Sequence, residues 1–436
     1  HDLIINGIAV DAHPAFVQMF LFYWTKIFGT GLFAVRLPFI LAGTIVIWVT
    51  YKTARFWSDN TSSLIAASII SFSGYPILYS ELARPYAFGM LFSTLTLYFF
   101  SRIFIGKKNS LKNFAGFSIC VLASMYTHYF SLFVSGLIYA SGLFFLNKKT
   151  IRNYLFSFFI ILILYLPYLP IFLQQISYKG VGGPGGWLGA PGSTWLWDYF
   201  IYIFNGSYLL TFVMGIGLII TLINIFQTKY YRFFLLPAWF LIVFLFGYIY
   251  SIVVNPILQF SILLFIYPAL IIFISDGLGR LNKVLPATLT IVLIALTTFA
   301  TTDKSGFFKK QHFGQFDGLV NDFIEWTNDY PKDNTLSIID VNNEYYIDYY
   351  LTPGGLRPDI LQLENPFNKK LFLNRINDAD TRYLIFGWST KAPRPEIYSA
   401  IHDHFPVVIE DRIYFNSRIT LFARENTSVK SSIPQW

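Results

Sequence analysis

Only six carboxylates stand in the first 302 of 436 residues: Asp2, Asp11, Asp59, Glu81, Asp198 and Asp276. Two of them have chemically useful company. Asp11 opens Asp11-Ala12-His13-Pro14, and Glu81 lies within Tyr79-Ser80-Glu81-Leu82-Ala83-Arg84-Pro85-Tyr86. A carboxylate can take the proton from an attacking hydroxyl or help hold a divalent cation. The guanidinium of Arg84 suits the fork geometry of a phosphate. If the helical turn continued, Glu81 and Arg84 would share one face. Tyr126-Thr127-His128-Tyr129-Phe130 adds an aromatic-flanked histidine, and Val35-Arg36-Leu37-Pro38 a second arginine. Each has a plainer reading. Asp11 could cap a helix that has Pro14 near its first turn. Glu81 and Arg84 could form a lone ion pair, His128 could be a packed hydrogen-bond partner, and Arg36 could snorkel to head groups.

The elements that must position these groups are apolar. The chain is 55% hydrophobic and 13% charged, against about 25% charge in soluble domains. Lys+Arg and Asp+Glu number 17 and 6 over residues 1–302, and 15 and 18 over 303–436. A membrane region over 1–302 is therefore expected, followed by a soluble domain over 303–436. The net charge of +8 belongs to the membrane part (+11 against −3), so it is no nucleic-acid footprint. The single cysteine, Cys120, excludes an intrachain disulfide and a cysteine-based metal site.

Ten apolar runs approach the roughly 20 residues that cross a bilayer: 33–51, 61–80, 86–105, 113–127, 129–146, 153–173, 207–226, 233–252, 257–275 and 284–301. The loops at 52–60, 102–112, 147–152, 227–232 and 276–283 carry 13 Lys/Arg, the opposite loops four: Lys26, Arg36, Arg84 and Lys179. The positive-inside bias makes the first set cytoplasmic. Residue 1, Glu81, Arg84, His128 and the soluble domain then lie on the outer side. Because the chain begins outside, at His1, an earlier crossing is expected, eleven in all. Asp59 and Asp276 read as cytoplasmic flank residues. Carboxylates beside a bilayer are expensive and usually functional, so the outer placement of the other four matters.

Residues 14–28 are apolar and too short to span, and predict a helix in the outer interface with Tyr23 and Trp24 at head-group level. The outer loop 174–206 contains GVGGPGGWLGAPGSTW, which its glycines and prolines deny regular structure. With Trp187, Trp195 and Trp197 lining it, it reads as a lid or as a passive connector. In the soluble domain, Leu319, Phe323 and Trp326 fall at helical spacing, while TLSIID, RYLIFGW and RITLFAR read as strands. Its carboxylates read as solvated surface, and its role as acceptor docking or packing. The chain has no HExxH, P-loop or nucleophile-elbow motif.

The ordered set Asp11-x-His13-Pro14, Ala34-Val35-Arg36-Leu37-Pro38-Phe39, Tyr79-Ser80-Glu81 with Arg84-Pro85-Tyr86-Ala87, and Tyr126-Thr127-His128-Tyr129-Phe130 resembles bacterial relatives of the dolichyl-phosphate-mannose–protein mannosyltransferases. These are GT-C glycosyltransferases, a group that includes the lipid A aminoarabinose transferase. The resemblance covers roughly residues 1–280. It implies a polytopic α-helical membrane protein of GT-C type with a C-terminal soluble α/β domain. It further implies an enzyme of a bacterial cytoplasmic membrane, taking a sugar from a polyprenyl-phosphate carrier at the outer face. Carried over, Asp11 matches the second acidic position of the first outer loop, Glu81 and Arg84 the second-loop motif, and His128 the aromatic-flanked histidine. The first acid of that loop, taken as the base, would fall before His1. The family's late Arg-Tyr pair stands here as Gln259-Phe260, before Tyr267-Pro268.

Sugar transfer from a phosphodiester needs a carboxylate to deprotonate the acceptor and positive charge at the departing phosphate. The expected site is Asp11 and Glu81 as catalytic acids, which also form a tentative site for Mg or Mn. Arg84, Tyr86, His128, His13 and Arg36 are the candidates for the donor's phosphate and sugar. Inverting transfer is expected, with the acid before His1 or Asp11 as the base, to a glycan, lipid or protein acceptor. Two rival readings stay open: a transporter or flippase for a lipid-linked glycan, and a scaffold without turnover. Against transport, the acids lie in loops rather than at the midplane, and no internal repeat is present.

Overall fold

The computed structural model describes residues 8, 13–177, 188–228, 230–281, 288–309, 312, 315–341, 345–351, 359–361, 369–377, 381–390 and 392–424. The chain forms two compact units, residues 1–307 and 308–436, divided a few residues beyond the point where the charge balance changes.

The first unit is helical: α1 (Phe16–Phe28), α2 (Leu32–Trp57), α3 (Asn60–Phe72), α4 (Gly74–Glu81), α5 (Tyr86–Phe100), α6 (Leu111–Thr127), α7 (Tyr129–Ser141), α8 (Ile151–Tyr165), α9 (Leu169–Ser177), α10 (Trp195–Ile203), α11 (Tyr208–Thr228), α12 (Leu235–Val253), α13 (Tyr267–Leu281) and α14 (Thr288–Phe299). Proline marks many of the starts. Pro76, Pro170, Pro237 and Pro268 all lie in first turns, where a missing N–H costs nothing. Asp59 caps α3 by accepting the Ser62 N–H at 2.8 Å.

The ten apolar runs each coincide with a helix or a broken one, but five unbroken helical stretches are long and apolar enough to cross a bilayer: 32–57, 86–105, 151–177, 208–228 and 232–253. The pair α3–α4 makes a sixth if its 52° bend is counted within one span. The remainder are shorter or broken, as at 260–265, a 3₁₀ segment preceding α13. The chain is a multi-pass membrane protein.

At its centre, α13 buries every residue from Tyr267 to Gly279. It packs against α3, α11 and α12. The contact with α11 is made backbone to backbone at two glycines. A side chain on Gly217 would sit 2.8 Å from the Ile274 carbonyl oxygen, and one on Gly277 would collide with Gly217 itself. Small residues allow such close approach between membrane helices. Thr221 seals the crossing by donating to the Phe273 carbonyl at 2.9 Å. Asp276 is no loop flank. It is buried in α13, paired with Arg280 at 2.9 Å, and accepts from Ser58 at 2.6 Å.

The bend between α3 and α4 is held from elsewhere in the chain. Helix α10 ends in a Schellman motif, with Asn205 (φ 60°) donating to Tyr202 and Gly206 (φ 71°) to Ile201. Left-handed asparagine is well tolerated at this position. The Asn205 side chain crosses to the break: its Oδ1 accepts the Gly74 N–H at 2.9 Å and its Nδ2 donates to Thr301 Oγ1 at 2.8 Å. Ser73 donates to the Ile203 carbonyl at 3.0 Å. Trp195 and Trp197, expected in an irregular loop, are helical in α10. Residues 178–187, with Trp187, lie outside the described residues.

The second unit is a five-stranded mixed sheet, β1 (Thr335–Asp340), β2 (Asp359–Leu361), β3 (Tyr383–Ser389), β4 (Val407–Tyr414) and β5 (Ser417–Ala423), in the order β2-β1-β3-β5-β4. The pairs β1–β2 and β1–β3 are parallel, while β3–β5 and β4–β5 are antiparallel. Successive side chains point to opposite faces. Ile339, Ile385 and Leu421 therefore pack under α15 (Phe316–Asp329) and α16 (Tyr345–Leu351). Ile338, Leu384 and Phe422 pack under α17 (Lys369–Ile376) and α18 (Pro395–His404). Its carboxylates are not all solvated surface. Asp322 is buried and pairs with Arg412 at 2.5 Å, and Arg412 also reaches Glu325 at 3.0 Å and Glu410 at 2.6 Å.

Candidate functional site

One end of the first unit collects most of the residues singled out in the sequence. Helix α4 stops at Glu81, and Leu82 turns extended (φ −87°, ψ 130°). The helical turn therefore does not continue, and Glu81 and Arg84 are not partners on one face. Glu81 is half-buried and Arg84 exposed, and neither has an ion pair or hydrogen bond among the described residues. The loop is closed at its base instead. The rings of Tyr79 and Tyr86 meet at 4.8 Å, so residues 82–85, which follow Glu81, form a loop pinned at both ends. Ser80 packs where a side chain on Gly43 of α2 would collide with it, which fixes α4 against α2.

Tyr86 leads to His128, ring to ring at 6.1 Å, and His128 to His13 at 5.4 Å. His128 stands between α6 and α7 and caps α7. Its Nδ1 accepts the Phe130 N–H at 3.0 Å, so the neutral ring carries its proton on Nε2. Burial first, and neighbouring His13 second, hold its pKa well below the usual histidine range. The plainer reading of His128 as a structural hydrogen-bond partner is thus satisfied at one nitrogen, which leaves the other as a donor. Helices α5 and α7 both begin at this end, with the partial positive charge of their N-termini.

Arg36 is exposed on the first turns of α2 and joins none of these ring contacts. Asp11 lies outside the described residues, as does Asp2. Asp198 accepts from Thr194 at 2.9 Å in the first turn of α10, as a helix-start acid does. Among the described residues no group of three His, Cys, Asp or Glu side chains could hold a metal. A Mg or Mn site at Glu81 would need Asp11, which lies outside the described residues, and others to complete it.

Two features escaped the sequence reading. The first is a nest of tyrosines behind the loop: Tyr75 meets Tyr79 at 5.5 Å, Tyr202 at 5.6 Å and Tyr267 at 5.0 Å, and donates to the Phe260 carbonyl. The spacing of Tyr75 and Tyr79, four apart, was the available signal. The second is Gln175, the buried residue of the mostly apolar helix α9. Its Nε2 donates to the carbonyls of Ile8 (2.6 Å) and His13 (3.1 Å), while its Oε1 accepts from Tyr129 and Tyr168. It ties the segment before α1 to the bundle and so sets where His13 lies. A glutamine inside Ile171-Phe172-Leu173-Gln174-Gln175-Ile176 was its signal.

Beside this end runs an apolar groove of about 500 Å³ between α1 and Tyr126, Tyr168 and Ile171. Helix α1 itself is the expected short apolar helix, with Tyr23 59% exposed.

Residues 12–174 match the family described as dolichyl-phosphate-mannose-protein mannosyltransferase. No curated protein is significantly similar to the chain in sequence. Among solved structures, ArnT from Cupriavidus metallidurans in the apo state is similar at a TM-score of 0.54 and 12% identity, over 94% of this chain and 87% of that one. The same protein bound to undecaprenyl phosphate is similar at 0.52 and 12% identity, over 94% and 88%. The chain thus has the GT-C fold, with a C-terminal α/β unit, and resembles the protein mannosyltransferase-like glycosyltransferases of that fold.

Proposed function

We propose that the chain is a membrane glycosyltransferase that moves a sugar from a polyprenyl-phosphate carrier to an acceptor at the outer face of a bacterial cytoplasmic membrane. The carrying observation is the pinned turn after Glu81, which presents Glu81 and Arg84, unpaired among the described residues, at the end of the bundle that holds Tyr86 and His128 within a GT-C fold. An anionic lipid-linked sugar brings a phosphate for Arg84 and hydroxyls for Glu81. In the proposed step the acceptor oxygen bonds to the anomeric carbon and the bond from that carbon to the phosphate oxygen breaks. The acceptor proton passes to Asp11, and the polyprenyl phosphate leaves with the bonding pair. A single displacement inverts the anomeric centre. Arg84 and the N-termini of α5 and α7 offset the charge that grows on the leaving phosphate. A divalent ion on Asp11 and Glu81 would offset the same charge, and no part of the step depends on it.

The test is turnover by the full chain in detergent, with radiolabelled polyprenyl-phosphate sugars, a membrane extract as acceptor source, and paired reactions with EDTA. Glu81→Gln and Arg84→Ala should each lower transfer by roughly 10²–10³-fold. Transfer at the wild-type rate in both variants would refute the assignment. Donor binding without any product would favour the transport or scaffold readings instead.

A further inference from the structure

The other end of the same helices carries a polar hollow. Helix α5 continues as a π-helical turn over Ser101–Ile105. The span 86–105 is therefore about 30 Å long, roughly one bilayer core. Where it ends, residues 103–109, residues 144–150 and Arg232 surround a hollow of about 490 Å³. Lys107, Lys149 and Arg232 line it, with Asn109 and Thr150, and no acidic residue is among its lining. Among the described residues none of the three cations has an ion-pair partner, and Arg232 only rests over the Phe145 ring at 5.6 Å.

Two helices also begin here. Helix α8 starts after Thr150, and the continuous helical stretch 232–253 starts at Arg232. Neither start has a side-chain cap, so their first N–H groups add positive potential to that of the three cations. Lys107 has φ 55°, the left-handed conformation that glycine adopts without strain after a helix. A lysine held there against backbone preference points to a use for its charge.

We propose that this hollow binds the phosphate of an anionic lipid head group, at the end of the bundle away from Glu81. Phosphate is the shared chemistry of a lipid head group and a free anion. The rim favours the lipid: Phe144 and Leu143 are 85% and 58% exposed, apolar surface that acyl chains would cover. Basic hollows between membrane helices are suited to such head groups.

The test uses the full chain in a neutral detergent, with lipid adducts counted by native mass spectrometry. Phosphatidylglycerol should bind at least tenfold tighter than phosphatidylcholine. The triple variant Lys107→Gln, Lys149→Gln, Arg232→Gln should weaken phosphatidylglycerol on the order of 100-fold, at roughly fivefold per removed charge. Lys107→Gly should weaken it about fivefold while leaving the unfolding midpoint level or higher, because the backbone is relieved as the charge is lost. A control triple with equal charge removed nearby, Lys52→Gln, Arg55→Gln and Lys112→Gln, should leave binding within twofold. Equal loss in both triples would overturn the site in favour of ordinary basic flanks. Inorganic phosphate displacing phosphatidylglycerol at the lipid's own concentration would overturn the lipid assignment, and so would equal binding of the two lipids.

Discussion

Asn205 offers the sharpest check on how the α3–α4 bend is held. Its side chain is buried and supplies the acceptor for the Gly74 N–H at 2.9 Å and a donor to Thr301 at 2.8 Å. Removing it leaves the first free N–H of α4 without an acceptor, which costs about 1–3 kcal/mol. The backbone adds a separable cost. At φ 60° alanine is disfavoured against glycine by about 1 kcal/mol. Asn205→Ala should therefore destabilise the full chain by ~3 kcal/mol and Asn205→Gly by ~2 kcal/mol. Unfolding by sodium dodecyl sulfate in mixed micelles reads this difference directly. Because the bend sets the direction in which α4 delivers Glu81, both variants should also lose sugar transfer more steeply than thermal stability alone explains. If both unfold within 0.5 kcal/mol of wild type, or glycine is the worse of the two, the bend is not held by this residue.

Three further outcomes follow from particular contacts. Gln175→Leu leaves the Ile8 and His13 carbonyls without their shared donor, at about 1–3 kcal/mol, and should lower transfer while leaving the second unit's hydrogen-exchange protection unchanged. Arg412→Ala leaves buried Asp322 with the Tyr414 hydroxyl but no cation, and should destabilise the second unit by ~2 kcal/mol, less than a fully buried pair because Arg412 is 32% exposed; exchange in α15 and β4 measures it. Burial pushes the Asp411 pKa up, but hydrogen bonds from Arg418 and Thr420 and the charge of Arg418 outweigh it and hold it below the ordinary carboxylate range. A lowered folded pKa stabilises at pH above about 4, the unfolded aspartate value, and that stability is lost as pH falls through the folded pKa. Exchange protection of β5, corrected for intrinsic rates, should drop on acidification in wild type and drop less in Asp411→Asn, the remainder coming from the carboxylates around Arg412.

The parts of the fold that read plainly from sequence are those set by local composition. Apolar runs located the helices, and TLSIID, RYLIFGW and RITLFAR located β1, β3 and β5, because central strands buried on both faces are continuous apolar runs. Strand β4 was missed because its exposed edge reads Val-Val-Ile-Glu-Asp-Arg, with charge where a buried strand has none. The motif residues were also legible, and Glu81, Arg84, Tyr86, His128 and His13 gather at one end. What sequence could not give were relations between distant segments. The turn past Glu81 stops where Tyr79 and Tyr86 meet ring to ring, and the break before Gly74 is held by a side chain 131 residues beyond it. Asp276 looked like a flank because its partners are a helical turn away and at Ser58, neither visible as a pattern.

The burial of α13 bears on how the protein is made. A helix shielded from lipid on every side gains little from its own apolarity, and this one ends in Ser275, Asp276, Gly277, Gly279 and Arg280. Charged residues resist partition from an insertion machine into lipid. Helices α3 and α11, which cover it, are synthesised earlier. They can receive α13 as a protein surface rather than as lipid, with Gly217 already in place to admit Gly277. Biogenesis of the bundle is thereby ordered along the chain: the last central helix enters a cradle that its predecessors have built, and a nascent chain lacking α11 would have nowhere to put it.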